Sequence, residues 1–320
     1  MKKTLIALAV LAVSGAAFAQ STATISGGIN VGIMDTGAAG AKAGVAHLGN
    51  GANAINIGVA EDLGGGLRGG FDSQIRFNSS NGDRNSSGAG ANLFHTANTF
   101  ISGGFGTARI GSIVEAGTCA FDPWACTGGA SLQAGVGISA LAGAGAVKQA
   151  VQYTTPTVSG FSANYTASVS TRTNERQTLA INYAAGPLAL TVVDIEGSGN
   201  SALDGTAITD TATSQRGIAA SYNFGVARLS VTNTESKAVG GATSADIMSI
   251  GATVPMGAYT LLAGYNKAKH VGTTTAANDT KLAVGVNYAL SKRTTLGADL
   301  MKVEAAGAGT GFVVRARHTF

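Results

Sequence analysis

The chain has 320 residues and a formal net charge of +4, and only 12% of it is charged, about half the share typical of a soluble domain. Glycine is abundant at 47 residues, proline scarce at 4, and 45% of the chain is hydrophobic. That excludes a disordered chain, and also a helical one, because each glycine costs a helix roughly 1 kcal/mol relative to alanine. There is no strict Gly-X-Y period and the basic residues are scattered singly, so neither collagen nor a basic nucleic-acid binder fits.

At the N-terminus, Lys2 and Lys3 form a positive n-region, Leu5 to Val13 an apolar h-region, and Ala17-Phe18-Ala19 an A-x-A cleavage site. Residues 1–19 therefore read as a signal peptide and 20–320 as one mature domain beginning at Gln20; a short N-terminal helix is the alternative. Of the 21 basic residues, losing Lys2 and Lys3 leaves 19 against 17 acidic ones. No later apolar run approaches the ~18 residues of a membrane-spanning helix, and the longest, Gly135 to Val147, is too short. The reading is an exported protein that is not a helical inner-membrane protein.

From there the chain reads as one strand after another. Ile25, Ile29, Val31 and Ile33 alternate with polar or small residues, as do Leu282, Val284, Val286 and Tyr288, and then Phe312, Val314, Ala316, His318 and Phe320. Period two with one apolar face means strands, although a soluble sandwich shows the same pattern. The connections discriminate. Short turn signals stand at 62–65, 103–106, 155–156, 186–187, 224–225, 255–257 and 290–292. Between them lie eight longer polar stretches, near 35–50, 78–91, 115–147, 171–175, 197–213, 237–243, 269–279 and 304–310. Seven turns alternating with eight loops predict sixteen strands, all-β and antiparallel, in a transmembrane β-barrel with short turns on one side. A barrel also suits the composition, since lipid takes the apolar face and a wet lumen leaves no conventional core to fill.

Several local motifs resemble the general porins of Gram-negative bacteria, particularly the neisserial and burkholderial type. They are Glu61-Asp62-Leu63-Gly64-Gly65-Gly66-Leu67, Gly103-Gly104-Phe105-Gly106-Thr107, Gln152-Tyr153-Thr154-Thr155-Pro156 with Ser159-Gly160-Phe161, Tyr183 to Leu188, Ser221 to Ala227, Leu290-Ser291-Lys292-Arg293-Thr294 and Arg317-His318-Thr319-Phe320. The resemblance spans the mature chain. It implies a homotrimer of sixteen-stranded barrels in outer-membrane lipid, inserted by the barrel-assembly machinery through the C-terminal Phe320 motif. Each barrel would hold a water-filled channel for small solutes and ions, narrowed by an inward-folded third loop. Two positions depart from the family, Ser112 and Gln152, where relatives often carry channel-facing arginines.

The third loop, about 115–147, is by far the longest connection and maps onto the constriction loop of the family; it carries Glu115, Asp122 and Trp124. In it Cys119 and Cys126 enclose six residues with Pro123 at the bend, which in an oxidising compartment predicts a disulfide. Two free thiols or a metal site are the alternatives, and no histidine lies near enough in sequence to favour metal. Parity assigns the channel wall. Leu67, Phe71, Ile75 and Phe77 face lipid, so Arg68, Asp72, Gln74 and Arg76 face the lumen; Arg109, Lys148, Arg228, Arg315 and Arg317 are read inward likewise. An arginine on the lipid face at mid-bilayer would cost roughly 2–4 kcal/mol. For Arg68 and Arg228, beside short turns, a place at the aqueous end is the alternative.

Catalytic signals are absent: there is no G-x-S-x-G, and His47, His95, His270 and His318 are scattered. Gly64-x-Gly66-x-x-Gly69 matches the dinucleotide fingerprint, but a strand follows it where that motif needs a helix. No cofactor and no resident metal are expected. The sequence thus predicts a passive diffusion channel with a moderate anion preference, and not an enzyme. An outer-membrane barrel serving mainly as a surface binding protein or adhesin is the alternative.

Overall fold

The computed structural model describes residues 21–49, 53–84, 93–114, 118–121, 146–169, 176–197, 212–238, 243–270, 279–304 and 309–320. Its first strands are β1 (Thr22–Asp35), β2 (Gly44–His47), β3 (Ala54–Gly64), β4 (Leu67–Arg76), β5 (Thr96–Gly103) and β6 (Gly106–Val114). One helical turn, α1 (Thr118–Phe121), follows β6. The chain continues through β7 (Ala146–Thr154), β8 (Phe161–Ser168), β9 (Arg176–Ala185), β10 (Leu188–Gly197), β11 (Ala212–Asn223) and β12 (Arg228–Ala238). It ends with β13 (Thr243–Met256), β14 (Tyr259–His270), β15 (Asp279–Ala289), β16 (Thr294–Val303) and β17 (Thr310–Thr319).

All pairings are antiparallel, and β17 returns to β1, from Gly28 opposite Thr319 to Asp35 opposite Phe312. β2 and β3 both pair with β1, at Val31–Met34 and at Thr22–Gly28, and so share one place in the ring. The 17-stranded sheet is therefore a closed barrel of sixteen positions, the number the turn count predicts. Closure leaves no unpaired edge, which a backbone in hydrocarbon requires.

The break between β2 and β3 is bridged by Asn53, which is fully buried. Its Oδ1 accepts the Asn30 N–H at 2.8 Å, and its Nδ2 donates to the Leu48 carbonyl at 2.8 Å. Leu48 packs on Val313 beside Met34 and Ala46. At the first hairpin, Gly64, Gly65 and Gly66 all take positive φ (81°, 61° and 79°), a conformation few other residues reach. The glycine pattern there is a turn into β4.

The two faces differ sharply. Ile25, Ile33, Phe71, Ile110, Ile181, Leu282 and Val314 stand exposed on the outside. Near the short turns the outer face carries aromatic pairs: Phe161 with Tyr183 (centroids 4.5 Å apart), Tyr222 with Phe224 (4.6 Å) and Tyr259 with Tyr288 (4.8 Å). Such a girdle marks the membrane–water boundary. On the inside, Asn30, Asn98, Gln152, Thr166, Thr178, Thr232 and Asn266 are buried polar residues.

The expectation that the lumen leaves no core to fill is corrected by inward apolar patches, of which two stand out. Phe121 of α1 is buried against Ala180, Val193, Ile195 and Ala219, and Leu262, Ala283 and Met301 form the second patch. Phe121 of α1 therefore lies on the inner side of the wall.

Candidate functional site

The site is the inner wall, and strand register decides which side chains belong to it. Gly58, Asp72, Asn98 and Gly111 lie side by side across β3 to β6, so Arg68, Asp72, Gln74 and Arg76 project opposite Leu67, Phe71 and Ile75. Arg109 stands beside Phe100, on the inward parity of Asn98. On β17, Arg317 lies opposite Asn30 and Thr295, and Arg315 opposite Gly32 and Gly297.

These arginines differ in what holds them. Arg109 Nη1 donates to Asp72 Oδ2 at 2.7 Å and to Asn98 Oδ1 at 2.9 Å, and its guanidinium lies 5.1 Å over the Phe100 ring. A cation over an aromatic face gains from the ring quadrupole, and the ion pair adds to it. Phe100 in turn rests against Gly70, where a Cβ would stand 2.7 Å from the ring. Arg76 Nε donates to Gln74 Oε1 at 2.6 Å, and Gln74 Nε2 to Asn56 Oδ1 at 2.8 Å. Arg317 Nε is buried without a hydrogen-bond partner. Arg68 opens on a recess of about 580 Å³ that Thr22, Thr24, Ser26, Asn56 and Gln74 also line.

Arg315 departs from the sequence expectation of an open channel charge. It points inward, but only 3% of it is exposed, and Nη1 donates to Asp299 Oδ2 at 2.6 Å while Nη2 donates to Asn287 Oδ1. Both side chains of the pair lie flat on the wall, over Gly297 and Gly285, where a Cβ would run into the guanidinium and the carboxylate respectively. Asp299 escaped the sequence reading, although the rule that turned Arg315 inward also places it: Leu296 and Leu300 face out, so Asp299 faces in.

Two further expectations are corrected. Ser112 pairs with Ala97 on the outer parity of Ile110, and its Oγ donates to the His95 carbonyl at 3.1 Å, so it does not face the channel. Lys148 sits with Gln149 (φ 51°) at a register shift opposite Ser112, so the alternation that put it in the lumen does not run through it. Gln152 does face inward, donating to Thr166 Oγ1 at 2.9 Å, and Arg228 Nη2 donates to Ser221 Oγ at 2.9 Å. Glu115, Asp122, Trp124, Cys126 and the side chain of Cys119 lie outside the described residues.

Carboxylates divide by face. On the described strands, Asp72 and Asp299 face in, with Asp62 at the first turn, while Asp194, Glu196, Glu235 and Asp246 take the outer parity near the end away from the short turns. There Arg216 pairs with Asp194 at 3.3 Å.

A closed antiparallel barrel, apolar outside and lined inside by polar side chains and arginines, has the construction of an outer-membrane channel. The chain matches the family model described as Gram-negative porin over residues 4–308. It is 31% identical over 333 residues to outer membrane porin protein 32 of Delftia acidovorans, covering 97% of this chain and 92% of that one. Among solved structures, the anion-selective porin from Comamonas acidovorans superposes with a TM-score of 0.72 at 22% identity, over 94% of this chain and 100% of that one. A loop-deletion mutant of OmpT, an outer membrane protein of Vibrio cholerae, gives 0.69 at 15% identity, over 94% and 99%. The chain belongs to the Gram-negative porins, and it is a channel of the outer membrane.

Proposed function

We propose that the barrel passes small hydrophilic solutes and ions by passive diffusion, with a moderate preference for anions, and performs no catalysis. One observation carries this reading. Among the described residues, Asp72 and Asp299 are engaged by Arg109 and Arg315, whereas Arg68, Arg76 and Arg317 have no carboxylate within ion-pair distance. The wall therefore keeps unbalanced positive charge, and low-dielectric walls focus such a field onto permeating ions. The anion selectivity of the Comamonas acidovorans porin agrees with this. With it go a signal peptide of residues 1–19, a homotrimer in outer-membrane lipid, insertion through the Phe320 motif and a Cys119–Cys126 disulfide.

Planar-bilayer recording of the purified porin in a potassium chloride gradient tests the reading. The reversal potential should lie on the chloride side at low salt. A reversal potential on the potassium side overturns it.

A further inference from the structure

The recess beside Arg68 is shaped by what its strands leave out. Strand register sets Thr22 of β1 beside Ala60 of β3, and Thr24 beside Gly58. On the far side of β3, Ala60 meets Gly70 of β4 and Gly58 meets Asp72. All six side chains or hydrogens share the inward parity. Ala60 and Gly58 bring a single methyl group between them, so β3 forms a low floor between taller walls. Two strand spacings of ~4.8 Å make that floor about 10 Å wide. Phe100 leans over Gly70, where a Cβ would stand 2.7 Å from the ring, and closes the β5 side. The enclosed volume, about 580 Å³, falls within the ~300–1,000 Å³ of pockets that take small organic ligands.

The polar groups around the floor fall into two sets. Asp72 is engaged by Arg109 at 2.7 Å, and Gln74 is held between Asn56 and Arg76. Asp62 lies opposite Arg68 in register, but its Oδ1 accepts the Gly64 N–H at 2.9 Å. Among the described residues, the side chains of Arg68, Thr22 and Thr24 make no hydrogen bond or ion pair, and all three are exposed. One side of the floor thus offers a guanidinium, and the other offers two hydroxyls.

A guanidinium presents a planar fork that matches a carboxylate with two parallel hydrogen bonds. Each hydroxyl can both donate and accept. Phe100 adds an apolar surface for a C–H face. A bare small anion would use Arg68 and leave the threonines to water. A neutral sugar would do the reverse. A doubly charged sugar phosphate would meet Asp72 and Asp62 as well as Arg68, and like charges repel it.

We propose that this recess is a binding subsite for singly charged sugar acids, with Arg68 taking the carboxylate and Thr22 and Thr24 the hydroxyls. This rests on the channel reading above and adds a solute class to it.

Planar-bilayer recording on the full-length porin in potassium chloride reads the subsite as block of the current by added solute. Sodium D-glucuronate should block saturably, at a concentration about fivefold lower than acetate, D-glucose or glucose 6-phosphate, the gain expected of one or two extra hydrogen bonds. Arg68→Ser should raise the half-blocking concentration of glucuronate about tenfold, and Arg68→Lys, which keeps the charge and loses the fork, about threefold. Thr24→Val and Ala60→Leu keep every formal charge. They should raise the glucuronate value relative to the acetate value, by about threefold for the lost hydroxyl and more for the filled floor. Heat-modifiable gel mobility checks that each barrel is folded; should Ala60→Leu not fold, Thr24→Val decides alone. Glucuronate that blocks the wild type no better than acetate overturns the subsite. So do equal shifts for both anions in the charge-neutral variants, which would reduce it to a general field. Stronger block by glucose 6-phosphate overturns the sugar-acid assignment. A wild-type protein that passes no current overturns the channel reading, and the subsite with it.

Discussion

The inner wall is made of two unlike arcs. From β16 and β17 through β1 to β6 it carries Arg68, Arg76, Arg109, Arg315 and Arg317, with Asp72 and Asp299 among them. From β8 to β13 the described middle of the wall is uncharged, built from Asn164, Thr166, Thr191, Ser230, Thr232 and Ser249 around the apolar seat of Phe121. One arc supplies field and the other seats Phe121. The separation teaches that a pore need not charge its whole circumference at mid-height: cations on one side polarise the lumen, and on the other side charge is confined to the strand ends, at Arg176 and Arg228.

The charged arc can be broken in graded ways. Asp299→Asn should have the largest effect, because it removes the carboxylate that balances the buried guanidinium of Arg315. Breaking such a pair costs about 3–5 kcal/mol, readable as a lower temperature at which the unheated compact band is lost on gels. Replacing Asp299 and Arg315 together by leucine and methionine should recover much of that loss. Next comes the double change Arg76→Ser with Arg317→Ser, which should lower the anion-to-cation permeability ratio roughly threefold at low salt. At 1 M salt the Debye length falls to ~3 Å and the difference from wild type should vanish.

Asp72→Asn should act the other way and more weakly. It releases Arg109, whose partly exposed guanidinium is already screened, so the ratio should rise by less than about twofold. Smallest of all is Arg216→Ser. Its partner Asp194 lies on the outer face, so stability should fall by no more than about 1 kcal/mol and the reversal potential should not move. A shift there would mean that the assignment of faces on β10 and β11 is inverted.

Much of this architecture is legible in the sequence, because its signals are local. The period-two apolar faces of β1, β15 and β17 and the glycine turn at 64–66 depend on neighbouring residues only. Parity is illegible on β5, β10 and β14, and the structure supplies the reason in each. There the inner face is apolar too: Phe100 under Arg109, Val193 and Ile195 under Phe121, and Leu262 with Ala283 and Met301. A side chain whose partner lies distant in sequence leaves no periodic trace. Lys148 is lost to a register shift that nothing in its composition marks, and the flat Arg315–Asp299 pair depends on two glycines, Gly285 on β15 and Gly297 on Asp299's own strand β16.

The pairing of β1 with β17 bears on how the barrel is made. Gly27 and Phe320 exchange N–H···O bonds in both directions at 3.0 Å each, joining opposite ends of the described chain at the seam. Loop-closure entropy grows only by ≈ 0.6 kcal/mol per doubling of length, so so distant a contact weighs little on stability. It weighs on timing, because contacts far apart in sequence form late. Until the seam zips, β1 and β17 are bare edges, each able to recruit the complementary edge of another chain. Refolding in detergent is then a race between a first-order closure and a second-order capture, and dilution favours the ring.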